Sequence, residues 1–211
     1  MQLKRPEMPL AEAEVAVLAA QDDGPRHTLL IGGARSGKSA LAERRAAERE
    51  AAGAEVVVIA TAQALDEEMA ARIAAHRAVR PAGWRTVEAP EALAATLQAE
   101  DAPGRVLLVD CLTLWLSNLL FDADANTDVK VRALQPSQRW VDERAALLAL
   151  LPTLRGELIL IGNEVGHGIV PMGAGNRLFV DENGRLHQAL AAHCAQVEFV
   201  MAGCALALKT S

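Results

Sequence analysis

The chain has no tyrosine, and aromatic residues make up only 3% of it. A single-strand nucleic-acid binder built on aromatic stacking platforms fits that shortage poorly. Cysteine is scarce as well: Cys111, Cys194 and Cys204 form no CxxC pair and are odd in number. That disfavours a disulfide scaffold and a four-thiolate zinc site. It leaves three small buried side chains as the simplest expectation, and it suits a reducing cytoplasm. No apolar run approaches the length of a membrane span. Met1 to Leu10 carries Lys4, Arg5 and Glu7 with no long apolar stretch after them, so it does not read as a secretory signal. Basic excess is also missing. The 21 Lys and Arg are outnumbered by 27 Asp and Glu, for a net charge of −6. A general polyanion-binding surface is therefore not expected, although a local phosphate site is compatible with it.

What the chain does have is apolar residue, 51% of its 211 positions, with 23% charged. That is enough to bury the core of one domain. Residues 1–26 read as an N-terminal extension, with a short helix expected over Ala11–Ala20. Residues 27–211 read as one domain in which strands and helices alternate. Short apolar or β-branched runs predict strands at His27–Ile31, Val56–Ala60, Arg105–Val109 and Leu158–Ile161. Helices are expected at Ser39–Ala52, at a segment bearing Leu65, Met69, Ile73 and His76, and at Glu91–Ala99, Leu112–Phe121, Ser137–Leu151 and Asn183–Ala192. Asp122–Pro136 reads as a loop and Gly166–Gly175 as irregular. Val197–Met201 and Ala205–Lys209 flank Ala202-Gly203-Cys204, which predicts a terminal hairpin. The alternation implies an α/β fold with a mainly parallel sheet flanked by helices.

Gly32-Gly33-Ala34-Arg35-Ser36-Gly37-Lys38-Ser39 matches G-x-x-x-x-G-K-[ST] between a predicted strand and a predicted helix. Its glycines let backbone N–H groups turn around phosphate oxygens, and the helix N-terminus adds partial positive charge. Lys38 is placed to reach the β- and γ-phosphates and Ser39 to ligate magnesium. Asp110, directly after a strand, is the natural second metal ligand, or else the N-cap of the following helix. Thr61, Asp110 and Asn163-Glu164 all follow strands and should share one rim with the phosphate loop, because ligands of open parallel sheets bind beyond the strands' carboxyl ends.

His76 does not fit a simple ATPase. Its spacing from Met69 and Ile73 puts it on an apolar stripe expected to turn toward the sheet. Such a histidine is either a residue stabilised at a helix C-terminus or a nucleophile whose neutral ring attacks phosphorus, with Arg77 and Arg80 gathering the triphosphate.

Together with this segment, further stretches carry a resemblance: Ile59-Ala-Thr-Ala-Gln63, Asp66–Ile73, Arg80-Pro81, Trp84-Arg-Thr86 with Glu88, Val109–Thr113, Ser117–Phe121, Asn163-Glu-Val-Gly166, Gly168-Ile-Val-Pro171, Asn176-Arg177 and Gly184–Gln188. The chain resembles the bifunctional adenosylcobinamide kinase/adenosylcobinamide-phosphate guanylyltransferase family of cobalamin biosynthesis. The resemblance implies a RecA-like P-loop NTPase fold and two reactions. In the first, ATP or GTP phosphorylates adenosylcobinamide. In the second, a guanylylated histidine hands GMP from GTP to that phosphate, giving adenosylcobinamide-GDP and pyrophosphate. Carried across by position, the nucleotide contacts are Gly32, Gly33, Ala34, Arg35, Ser36, Gly37, Lys38 and Ser39, then Ile59, Ala60 and Thr61, then Arg77, Ala78, Val79, Arg80, Glu88 and Asp110. His76 is the guanylylated residue, Lys38 the catalytic lysine, and Ser39 and Asp110 the ligands of Mg2+ bound with ATP or GTP. The implied partners are these nucleotides, adenosylcobinamide and its phosphate, and further copies of the chain in a homotrimer. Ala75 and Arg77 depart from the family pattern, which often has a second histidine and a lysine there. Two other readings start from the same loop: a P-loop small-molecule kinase without guanylyl transfer, and a nucleotide-binding switch protein.

Overall fold

The computed structural model of the chain describes residues 27–64, 66–78, 80–120, 135–169 and 172–210. Seven strands form one sheet among the described residues: β1 (Thr28–Gly32), β2 (Glu55–Ala60), β3 (Arg85–Glu88), β4 (Arg105–Asp110), β5 (Glu157–Asn163), β6 (Gln196–Met201) and β7 (Cys204–Thr210), in the order β3-β2-β4-β5-β1-β6-β7. All neighbours run parallel except the hairpin pair β6–β7. The helices are α1 (Lys38–Ala51), α2 (Glu67–Ala78), α3 (Leu93–Glu100), α4 (Leu112–Leu120), α5 (Gln138–Leu150) and α6 (Ala174–His193).

The central strands are apolar at every interior position because both faces are covered. Leu29, Ile31, Val57, Ile59, Leu107, Val109, Leu158 and Leu160 point to one face, where α3, α4, α5 and α6 pack. Leu30, Val56, Val58, Val106, Leu108, Ile159 and Ile161 point to the other, against Leu41, Ala42 and Ala46 of α1 and against Trp84. On the first face Trp115 and Trp140 meet edge-on, ring centroids 5.1 Å apart. Their indole N–H groups donate to the Glu91 carbonyl and the Glu182 carboxylate, so neither polar group is stranded in the core. Ser137 caps α5, its side chain accepting from the Trp140 N–H.

Four expectations need correction. β3 was not anticipated: it is a four-residue edge strand, only partly buried, and Arg85-Thr-Val-Glu88 carries too little apolar residue to announce it. α6 begins at Ala174, nine residues before the expected start. Its buried stripe of Leu178, Glu182, Leu186 and Leu190 keeps helical spacing, so the helix takes in residues 176–182 and the last two residues of the stretch expected to be irregular. Cys111 and Cys194 are buried, but Cys204 is exposed, because it opens β7, all of whose residues face solvent. The stripe of Met69, Ile73 and His76 does not enter the core; α2 has no buried residue. The helix expected over Ala11–Ala20, Leu65, Val79 and nearly all of the 122–136 loop lie outside the described residues.

Candidate active site

The carboxyl ends of β1, β2, β4 and β5 lie side by side. Ala60 pairs with Asp110, Asp110 with Ile161, and Gly32 with Asn163. The phosphate loop leaves β1 here and turns into α1. A Cβ at Gly32 would sit 2.2 Å from the Val200 carbonyl oxygen, so this close approach of β1 to β6 admits only glycine. Gly37, with φ near 100°, takes the left-handed turn into the helix. The hairpin tip supports the loop from behind, the Gly203 N–H donating to the Ser36 carbonyl at 2.8 Å.

Lys38 is 5% exposed. Its ammonium donates to the Gly33 carbonyl at 2.6 Å and lies 3.4 Å from Ser36 Oγ, curled over its own loop. Burial lowers its pKa, and Asp110 nearby works in the opposite direction. A buried ammonium at this spot has much to gain from a polyanion arriving in front of it.

In front of the loop opens a cavity of about 860 Å³. Residues 34–40 form one wall. Ala60, Gln63, Asp110, Cys111, Ile161 and Asn163 form the floor along the strand ends, and Met69, Arg72, Ile73, His76 and Arg77 of α2 form the facing wall with Arg80 and Glu88. The stripe expected to meet the sheet meets this cavity instead.

The charges across the cavity are organised. Arg80 is nearly buried, and its Nη2 donates to Asp110 Oδ2 at 3.1 Å. The same oxygen is 3.8 Å from His76 Nδ1, and the His76 side chain is 48% exposed. Arg77 pairs with Glu88 at the mouth. Glu43 of α1 lies behind Arg80; burial raises its carboxyl pKa, and the Arg80 charge partly offsets that. Cys111 is held as a neutral thiol, its pKa pushed up to about 11 by burial and by Asp110.

Of the residues anticipated as site members, Ala34, Arg35, Ser36, Gly37, Lys38, Ser39, Ala60, His76, Arg77, Arg80, Glu88 and Asp110 line this one cavity. Gly32 and Gly33 shape the loop without lining the wall. Ile59 is fully buried in the core. Thr61 is buried with its hydroxyl donating to the Cys111 carbonyl at 2.6 Å and accepting from the Cys111 N–H at 2.9 Å, so it ties β2 to β4 rather than facing a ligand. Ala78 borders a shallower hollow on the outer side of α2, and Val79 lies outside the described residues. Sequence reasoning missed Gln63, Arg72, Cys111 and Glu43. Arg72 shares the helical face of Met69 and His76, and Glu43 falls one turn after Ser39, so helical spacing held a signal for both.

A phosphate cradle with a buried lysine, a carboxylate at an adjacent strand end and a histidine on the facing wall suit nucleotide chemistry with a nucleophilic imidazole. Comparison with known proteins shows the family. The model of the cobinamide kinase / cobinamide phosphate guanyltransferase family matches residues 28–208. A bifunctional adenosylcobalamin biosynthesis protein CobP from Pseudomonas aeruginosa is 55% identical over 181 residues, covering 86% of this chain and 96% of the relative. The bifunctional adenosylcobalamin biosynthesis protein CobU of Escherichia coli is 40% identical over 182 residues, covering 86% of this chain and 98% of the relative. Among solved structures, a DnaB-like replicative helicase aligns with 92% of this chain and 57% of that chain at a TM-score of 0.47 and 14% identity.

Proposed function

The chain belongs to the cobinamide kinase / cobinamide phosphate guanyltransferase family, and on that footing we propose how its residues carry the two reactions of a bifunctional enzyme of cobalamin biosynthesis. It phosphorylates adenosylcobinamide with ATP or GTP, then transfers GMP from GTP to the phosphate, releasing pyrophosphate. The observation that carries the assignment of residues is that one cavity has Lys38 and the phosphate loop on one wall and His76 on the other.

In the kinase step the backbone N–H groups of the loop and the Lys38 ammonium hold the β- and γ-phosphates and stabilise the charge that develops on them. In guanylyl transfer the same groups become the leaving pyrophosphate, so the same cradle serves, while His76 forms the bond to the α-phosphorus. Glu88, Arg77 and Arg80 face the nucleotide from the α2 side.

The residues present fit magnesium. Asp110 and Ser39 offer hard oxygen donors on the cavity wall, and no cluster of three or more His, Cys, Asp or Glu able to hold a metal alone occurs among the described residues. That sparse set suits an ion that keeps waters and takes its remaining ligands from phosphates. Bound there, Mg2+ would neutralise phosphate charge. Ser39 and Asp110 are the residues that would hold it.

The reading extends to the assembly and the setting. Residues 27–211 act as one catalytic unit behind an N-terminal extension, supported by the family match over 28–208 and the single sheet. Copies associate, in a homotrimer, through the β7 edge, where Leu206 and Leu208 are exposed on a strand that pairs with β6 on one side only. Light scattering tests this, and a strict monomer at working concentration would contradict it. No described helix is long and apolar enough to cross a membrane; the enzyme works in the cytoplasm and binds no nucleic acid.

The reaction itself is tested with adenosylcobinamide, GTP and magnesium, products being read by mass spectrometry. Adenosylcobinamide-GDP and pyrophosphate are expected. Accumulation of the phosphate alone would reduce the protein to a kinase.

A further inference from the structure

Most of the cations on the cavity walls are already committed. Lys38 donates to its own loop, Arg77 pairs with Glu88 and Arg80 with Asp110. Arg35 and Arg72 line the same cavity, and among the described residues neither makes a hydrogen bond or an ion pair. Arg35 belongs to the phosphate loop and stands with Lys38, at the end of the cavity where the β- and γ-phosphates are held. Arg72 stands on the facing wall, on α2, exactly one helical step of four residues before His76. No step described above uses it.

An exposed arginine on a solvated helix face needs no explanation. Arg72 differs because its face is the cavity wall and its neighbour there is the nucleophile. Residues four apart on a helix have Cβ atoms about 5–6 Å apart. Helical side chains also lean toward the N-terminus, so the His76 ring leans over the turn that bears Arg72. Whatever atom the ring attacks is therefore within reach of the guanidinium. In an in-line displacement the attacking and leaving atoms lie on one axis through phosphorus, and the nonbridging oxygens stand around that axis. Those oxygens carry the charge that a cation beside the nucleophile can stabilise. A guanidinium suits them, because its planar fork donates to two oxygens at once and never gives up its proton.

We propose that Arg72 is a further catalytic residue of guanylyl transfer, donating to the nonbridging oxygens of the α-phosphate while His76 attacks it. The inference rests on the assignment of His76 as the guanylyl acceptor. In the first displacement a lone pair of the imidazole forms a bond to the α-phosphorus of GTP. The bond from that phosphorus to the bridging oxygen breaks, and its electron pair leaves with pyrophosphate. In the second, a phosphate oxygen of adenosylcobinamide phosphate attacks from the side that pyrophosphate vacated. The N–P bond breaks and its pair returns to the ring. The same two oxygens stand beside Arg72 in both displacements, so one guanidinium serves both. Phosphorylation of adenosylcobinamide reacts at the γ-phosphorus, two phosphorus atoms away, and uses no histidine. Lys38 and the metal ligands Ser39 and Asp110 serve both reactions; Arg72 is the cation that sets guanylyl transfer apart.

The test uses the full chain with Arg72→Gln. With GTP labelled at its α-phosphate, the maximal rate of covalent labelling should fall about 10²-fold, the scale for losing a donor to developing charge. Discharge of the isolated guanylylated protein by adenosylcobinamide phosphate should slow by a similar factor. The kinase rate of the same sample should fall at least about tenfold less, which also shows that the variant is folded. Arg72→Lys, which keeps a charge without the fork, should recover part of the loss. Sulfur in place of one nonbridging α-oxygen of GTP weakens a hydrogen bond to that atom. For one of the two diastereomers, the slowing it causes should therefore be smaller in Arg72→Gln than in wild type. An unchanged maximal labelling rate, a loss confined to the GTP concentration for half-maximal labelling, an equal fall in labelling and kinase rates, or equal sulfur effects in variant and wild type each overturns the role of Arg72 and leaves His76 as acceptor. Wild-type protein that takes no label at all overturns the acceptor assignment itself.

Discussion

The two helices that face each other across the cavity are held in different ways. α1 buries Leu41, Ala42 and Ala46 in the core, and the β6–β7 turn supports its loop from behind. α2 buries nothing. It is placed by polar contacts at its C-terminal end, Arg77 on Glu88 and Arg80 on Asp110 just beyond it, while the Asp66 carboxylate only caps its start through the Met69 N–H. Packing makes the first wall costly to move. The second rests on charges that solvent and salt can weaken, and helices with few buried contacts open at low free-energy cost. The difference matches the two tasks. On the proposed reading the cradle holds phosphates identically in both reactions, whereas His76 meets first GTP and then a second, larger substrate.

Lys38→Ala attacks the packed wall and should have the largest effect. Both the kinase and the guanylyl-transfer rates should fall by about 10³-fold, the scale for losing a donor to developing charge. Loss of one activity alone would break the claim that one cradle serves both.

The scaffold beneath that wall has a pH limit of its own. His187 of α6 packs on β5 so closely that a Cβ at Gly162 would lie 2.3 Å from its Nε2. Burial pushes its pKa from 6.5 down to about 4. The unfolded chain therefore takes up a proton that the native ring refuses. Stability is fully present above pH ~6.5 and falls as pH drops toward ~4, by at most about 3 kcal/mol from this ring. Burial lowers the His27 pKa as well, which adds to the same slope. His187→Leu should flatten the dependence of Tm on pH in that window. An unchanged slope would show that the folded ring takes up its proton as readily as the unfolded one.

Asp110 joins the two walls, so Asp110→Asn should act on both. The magnesium concentration needed for half-maximal kinase activity should rise about 10- to 100-fold, and labelling of His76 should slow further. Unchanged magnesium dependence would remove Asp110 from the metal site.

The smallest effect belongs to the mouth of the cavity. Arg77 and its Glu88 partner are both substantially exposed, and such pairs contribute at most about 1 kcal/mol. Raising the salt concentration should slow labelling by a few-fold and leave the kinase rate nearly unchanged. Equal sensitivity of the two rates would erase the contrast between the helices.

The packed half of the molecule was the legible half. Val56–Ala60 and Leu158–Ile161 are apolar without a break because both faces of the sheet are covered, and that pattern is local. The phosphate loop was legible for the same reason, since its geometry depends on neighbours in sequence. β3 escaped because an edge strand needs little apolar residue. The stripe of α2 was legible as apolar, but spacing cannot tell whether the surface opposite is protein or an open cavity. The pairing of Arg80 with Asp110, and its approach to Glu43, left no trace in local pattern, because the three come together only through the fold.

One measurement reaches the central claim. The protein is incubated with GTP labelled at its α-phosphate, denatured, digested and mapped. One GMP should be found on His76, through a bond labile to acid and stable to alkali as a phosphorus–nitrogen bond is. Folded His76→Ala should take up no label and still phosphorylate adenosylcobinamide. Label that persists in His76→Ala, or that maps to another residue of the wild type, would contradict the account.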